Sequence, residues 1–161
     1  AASELGHMVI RAGGEECTCG RRGCFEAYAS ATALIRETKR AMAAHPESRM
    51  HAAAEENGAV DGRTAFIAAQ RGDAAAQAVV DRYLDDLACG VANIVNIFFP
   101  EVIALSGGVA NQGDALLVPL RERMRALSYG SRYAVRHTRI ELCTLGYRAG
   151  VIGAALLAKQ S

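Results

Sequence analysis

Val102-Ile103-Ala104-Leu105-Ser106-Gly107-Gly108 is the stretch on which the fold turns. Four apolar residues ending in a small-residue turn read as a buried strand feeding a glycine turn. Just before it, Pro100 closes the longest periodic segment of the chain, from Asp73 to about Phe99. There Val79, Val80, Tyr83, Leu84, Leu87, Val91, Ile94, Val95 and Phe98 recur at three- and four-residue steps, so a helix should bury one whole face. Asp73 stands where that helix needs an N-cap. After the glycine turn a second helix is expected from about Ala115 to Leu127, with Arg121, Arg123 and Arg125 alternating on and off its outer face. Ile140 to Cys143 reads as another strand, and Arg148 to Lys159 as a small-residue helix. Strands alternating with helices imply an α/β layer rather than a bundle.

Toward the N-terminus, Val9 and Ile10 suit a short strand. A glycine-rich loop with three of the five cysteines follows, then a helical pattern from Phe25 to about Ala44. His45-Pro46 stops it, and residues 46–62 read as a loop holding at most a helical turn. Apart from an alanine-rich 41–54 region, there is neither an internal repeat nor low complexity.

With 161 residues, the chain is about the size of one domain. Hydrophobic residues make up 51% and charged residues 22%, which excludes a disordered chain, a collagen-like repeat and a disulfide-framed toxin. A formal charge of +1 supplies no field to draw the chain onto nucleic acid or an anionic membrane. The strongest apolar run, Val91 to Pro100, is broken by Asn93 and Asn96 and is too short to span a bilayer. No signal peptide opens the chain, so a soluble cytoplasmic protein is expected, with neither membrane nor nucleic acid as partner. Ala1-Ala2-Ser3-Glu4 reads like the middle of a longer protein.

Chemistry concentrates near the start. Cys17, Cys19 and Cys24 lie within eight residues, and His7 lies ten residues before the first of them. Three thiolates and one imidazole make a complete structural Cys₃His zinc set. Gly20 and Gly23 supply the backbone freedom needed to gather sulfurs from so short a loop. The spacing alone also allows a redox loop or incidental thiols, whereas a disulfide would need an oxidising compartment. Cys89 and Cys143 read as inert core thiols, and His45, His51 and His137 as surface residues.

Glu4-Leu5-Gly6-His7, followed by Cys17-Thr18-Cys19-Gly20-Arg21-Arg22-Gly23-Cys24-Phe25-Glu26, resembles the zinc signature of the ROK family at every position. That family joins bacterial sugar kinases with sugar-sensing repressors. Asn96 to Val109 is similar to its nucleotide-side segment and Leu145 to Ala155 to its closing helix, so the resemblance spans essentially the whole chain. It implies the C-terminal lobe of an actin-like ATPase, or ribonuclease H-like, fold with a zinc-binding loop. Residues 1–26 would form the zinc and sugar loop and 27–161 the α/β lobe, the N-terminal lobe being absent.

Carried over position by position, the resemblance gives His7, Cys17, Cys19 and Cys24 as zinc ligands. It makes Glu4, His7 and Glu26 the sugar contacts. Carboxylates accept hydrogen bonds from vicinal hydroxyls, and an imidazole metallated on one nitrogen keeps the other as a fixed donor. Taken in isolation, Glu4 and Glu26 would read as solvated surface acids. Ser106, Gly107 and Gly108 fall on the nucleotide side. Two positions depart from the family pattern: Ser106 stands where a third glycine is usual, and Ser3 where a glycine commonly precedes the Glu.

The larger departure is an absence. In the family, the first phosphate loop and the catalytic Asp precede the zinc motif. Here no Asp-Gly-Gly-Thr loop occurs, and Asp61-Gly62-Arg63-Thr64 is out of place. The resemblance therefore implies that the catalytic Asp lies upstream of these residues and that none of them is the base. The resemblance implies a glucokinase-like hexose kinase transferring the ATP γ-phosphoryl to the sugar 6-hydroxyl, with Mg²⁺ and with hexose, ATP and a second copy of the chain as partners. The rival is the effector domain of a ROK-type sugar-responsive repressor, and a third reading is a split protein that binds sugar without turnover.

Overall fold

The computed structural model describes residues 4–133 and 136–159; Ser3 lies outside them. Helices α1 (Glu26–Ala29), α2 (Ala31–Ala44), α3 (Met50–Asn57), α4 (Thr64–Gln70) and α5 (Ala74–Phe98) come first in the chain. Strand β1 (Val102–Leu105), helix α6 (Asp114–Leu127), strand β2 (Arg139–Leu142) and helix α7 (Ala149–Ala158) follow. Helix α5 is the spine, and α1, α2, α4 and α6 all pack against it. Its stripe of Val80, Tyr83, Leu84, Leu87, Val91 and Val95 is buried with Leu34, Met50, Phe66, Leu120 and Ile140 in one core. The periodicity fades at the C-terminal end, where Phe98 is 60% exposed rather than buried. Phe99 then ends the helix at φ 43°, and Pro100 prevents resumption.

Asp73 does more than cap α5. Its Oδ1 accepts the Ala76 amide at 2.8 Å, and its Oδ2 accepts the Ser48 hydroxyl at 2.7 Å and the Arg49 amide at 2.6 Å. One carboxylate thus starts α5 and fixes the approach to α3. This is why residues 46–62, read as a loop, contain a full helix: its stability comes from a partner 24 residues away. Helix α4, also absent from the sequence reading, starts at a local knot in which the Arg63 amide and the Thr64 hydroxyl donate to Asp61. The expected helix from Phe25 to Ala44 is two helices, because Ser30 is extended (φ −82°, ψ 163°) and its Oγ accepts the Ala33 amide at 3.1 Å. That cap wins over an apolar period that runs through the break.

β1 and β2 pair in parallel, Val102 with Arg139 through Leu105 with Leu142, and α6 connects them. The second strand begins one residue earlier than read, leaving Cys143 outside it. The first strand is not buried: Val102 and Ala104 are exposed, while Ile103 and Leu105 pack on the core. Among the described residues, helices cover one side of these alternating residues, whereas parallel strands are ordinarily covered on both. The apolar helix α7 is likewise open, with Val151 75% and Leu157 69% exposed. Val9 makes only an isolated bridge to Cys24, not a strand.

Arg121 and Arg123 do not alternate on an outer face; they stitch layers together. Arg121 donates to the Ile140 carbonyl and Glu141 of β2, and Arg123 to Asp81 and Asp85 of α5. Cys89 and Cys143 are free thiols that are half-buried rather than core residues. His45 and His137 are exposed as read, but His51 is half-buried with Nε2 3.2 Å from the Met42 carbonyl. Among the described residues, no helix is long and apolar enough to cross a membrane.

Burial alone would raise the Asp73 carboxyl, but its amide and hydroxyl donors outweigh this and hold it below its ordinary value. Asp73→Ala should lower unfolding stability by about 2 kcal/mol, the loss of a cap together with buried hydrogen bonds. The depressed group stabilises fully above the unfolded-chain value of about 4 and loses its contribution as pH falls through the lower folded value. Urea melts of wild type and variant should therefore converge in that acid range and stay apart at pH 7.

Candidate metal centre

The short 3₁₀ turn Leu5–His7 delivers His7, its amide donating to the Glu4 carbonyl at 3.0 Å. The following loop doubles back through antiparallel bridges Val9 to Cys24 and Glu16 to Arg22. Gly20 and Gly23 lie at φ 83° and 84°, as the spacing required. At Gly23 a Cβ would fall 1.8 Å from the Arg11 carbonyl oxygen, so the two limbs close only around a glycine.

This brings one ligand atom each of His7, Cys17, Cys19 and Cys24 within 4.8 Å of one another. Cys19 and Cys24 Sγ are 3.7 Å apart, and Cys17 Sγ is 3.5 Å from His7 Nδ1. A tetrahedral ion with bonds of about 2.3 Å to sulfur and about 2.0 Å to nitrogen has S···S edges of about 3.8 Å and S···N edges of about 3.5 Å. The Cys19–Cys24 and Cys17–His7 edges match that solid, and the remaining separations stay within 4.8 Å. All are free thiols or imidazole; Cys17 and Cys24 are buried and Cys19 is exposed. The Arg21 amide and guanidinium pull the Cys19 thiol down to about 6, whereas burial, with its thiol neighbours, pushes Cys24 up to about 11. Arg21 also donates to the His7 carbonyl at 2.9 Å, tying the two ends of the cluster together. The sequence reading passed over Arg21 because its role depends on the loop closing first.

Glu26 Oε2 stands 3.9 Å from His7 Nδ1, the nitrogen that also faces Cys17. The carboxylate thus approaches the thiol side of the imidazole, not the free edge. Thr18 donates its hydroxyl to Glu26 Oε1 at 3.3 Å, a contact the sequence reading missed. Glu4 joins this group only through its backbone; it is exposed, and among the described residues its carboxylate makes no hydrogen bond or ion pair. Ser106, Gly107 and Gly108 form an exposed turn after β1, with Gly107 at φ 100°. No side chain would meet a Cβ at Gly107 or Gly108 within 4 Å, so that backbone is open to close approach, but it leads into a 3₁₀ turn before α6. A separate cavity of about 800 Å³ between α5, α6 and β2, lined by Val95, Phe99, Arg121, Met124 and Ile140 among others, contains none of these residues.

Gly23→Ala should open the loop, since the new methyl meets backbone and the residue must also hold a positive φ. Metal analysis of the purified variant should give well under half the metal of wild type, while far-ultraviolet circular dichroism keeps its helical signal.

The sequence profile of the ROK family matches residues 1–161. A glucokinase of Halalkalibacterium halodurans is 38% identical over 160 residues, covering 99% of this chain and 48% of that protein. The xylose repressor of Caldicellulosiruptor bescii is 30% identical over 152 residues, covering 94% of this chain and 37% of that protein. The crystal structure of a ROK family glucokinase from Streptomyces griseus in complex with glucose and AMPPNP superposes with a TM-score of 0.87 at 31% identity, covering 99% of this chain and 52% of that one. The chain thus spans about half the length of the glucokinases it matches. Its neighbours among ROK sugar kinases have the actin-like ATPase fold, and the chain belongs to the ROK family.

Proposed function

We propose that this chain is the zinc-bearing C-terminal lobe of an ATP-dependent hexose kinase acting on the 6-hydroxyl, with glucose as the sugar. The observation that carries this reading is the four-donor cluster with Glu26 beside His7, in a chain similar to glucokinases over 99% of its length. His7, Cys17, Cys19 and Cys24 would hold Zn²⁺. With four protein ligands the ion has no open position, so it organises the loop rather than activating water. Glu26, the free edge of His7 and Glu4 would take the sugar hydroxyls, and carboxylates suit that task as charge-assisted acceptors. Ser106, Gly107 and Gly108 would let the nucleotide approach the backbone, with Mg²⁺ entering on ATP. The uncovered apolar residues of β1 and α7 support a lobe that is completed by more protein, either the rest of a longer chain or a second copy. Free cysteines throughout the described chain suit the reducing cytoplasm.

Likeness to xylose repressors supports a second reading, an effector domain that binds sugar and transfers nothing. An ADP-release assay with glucose and ATP decides between them. In-line phosphoryl transfer needs acceptor, base, metal and γ-phosphate held together, and positioning supplies most of the rate. The 161-residue chain alone should show no glucose-dependent turnover, and the same chain with its upstream sequence should show it. Comparable rates for both would mean that the catalytic groups lie within these residues, and no turnover by either would favour the effector domain.

A further inference from the structure

The loop and the short helix α1 that follows it are seated on helix α5 at three points about one helical turn apart. The Tyr83 hydroxyl donates to the Ala29 carbonyl at 3.0 Å, where α1 ends. Asp86 Oδ1 accepts from Arg11 Nη2 at 2.5 Å, in the limb between His7 and Cys17. At Gly90 the Phe25 ring, directly after Cys24, lies so close that a Cβ would be 2.2 Å from it. Steps of three and four residues put Tyr83, Asp86 and Gly90 on one helix face. Each point takes a different feature of the segment: a carbonyl, a guanidinium and a ring.

Of the three, Asp86 bears the charge. Its side chain is 8% exposed and Arg11 is 49% exposed, so the pair sits at the edge of the core with the carboxylate inside. Arg11 is in turn held over the Tyr28 ring, 4.8 Å from its centroid, and the Tyr28 hydroxyl accepts the Glu15 amide at 2.6 Å. Two further ion pairs leave this limb, half-buried Glu15 with Arg40 of α2 and exposed Glu16 with Arg22 inside the loop, but neither reaches α5. A buried carboxylate on a helix interior is costly unless it has a fixed partner. It marks one place where the loop can sit.

We infer that Asp86 is a positioning residue: through Arg11 it sets the loop that carries His7, Cys17, Cys19 and Cys24, and thereby places Glu26 beside them. The inference deepens the reading above, in which those residues hold the metal and the sugar. It stands apart from that reading in what it requires, because the seat on α5 orders the loop whatever the loop binds.

Removing one partner alone would leave the other charge unpaired, so the test replaces both, Arg11→Met with Asp86→Asn. Amide hydrogen exchange is followed by mass spectrometry in peptides covering residues 8–24 and in peptides from α5 and α6. The loop should exchange about tenfold faster in the double variant, with α5 and α6 within about twofold of wild type. Asp86→Glu, which keeps the charge, should restore most of the protection. Arg123→Ala serves as the comparison, because it breaks the two ion pairs, to Asp81 and Asp85, between α6 and α5, neither of which touches the loop. Unchanged loop exchange in the double variant overturns the inference, as does equal acceleration in Arg123→Ala. Zinc content measured on the same wild-type sample bears on the metal reading separately: a protein without zinc sinks that reading while the exchange rates still decide the role of Asp86.

Discussion

The Phe25 ring lying on Gly90 is the contact on which the rest of the molecule depends. Any side chain at residue 90 would drive the ring off the helix, and with it the loop whose last cysteine immediately precedes the ring. The same helix turn buries Leu87 and Val91 in the core on its adjacent face. One helix therefore carries both the core and the seat of the cysteine loop, Phe25 itself packing against that core. A loop with few apolar residues of its own gains a defined position by borrowing the rigidity of a 25-residue helix.

The chemistry of the loop follows from how tightly it closes. Gly23 brings limbs into contact that a side chain would hold apart, Gly20 supplies a left-handed turn, and three thiols and an imidazole converge within 4.8 Å. Without a cation the cluster carries less than its full thiolate charge, because burial favours the protonated Cys24 while Cys19 ionises readily. Arg21 offsets part of that charge from outside. A bound ion would neutralise the rest and leave Glu26, with Thr18 on its other oxygen, as the polar group facing outward beside the site.

What the sequence revealed depended on the range of the interaction. The α5 periodicity, its Asp73 cap, the strand at Val102–Leu105 and the helix after it were all legible, because each is set by residues next to one another. The clustering of His7, Cys17, Cys19 and Cys24 as a candidate metal set was legible for the same reason, three of them lying in one short loop. Helix α3 was not, because its start is fixed by Asp73 from beyond α4. The break at Ser30 was hidden by an apolar period that continues across it. Arg11 and Asp86 lie 75 residues apart, and nothing local in either segment announces the pair. Strand β1 read as buried because its residues are apolar, yet burial needs a second covering layer that the described residues do not contribute.

The central claim is that His7, Cys17, Cys19 and Cys24 hold a structural zinc that gives the loop its shape. Elemental analysis by inductively coupled plasma mass spectrometry, on protein purified without added metal, tests it most directly. The account predicts one zinc per chain, retained through dialysis against a weak chelator and lost in Cys24→Ser. Zinc well below one per chain, or full occupancy persisting in Cys24→Ser, would contradict it.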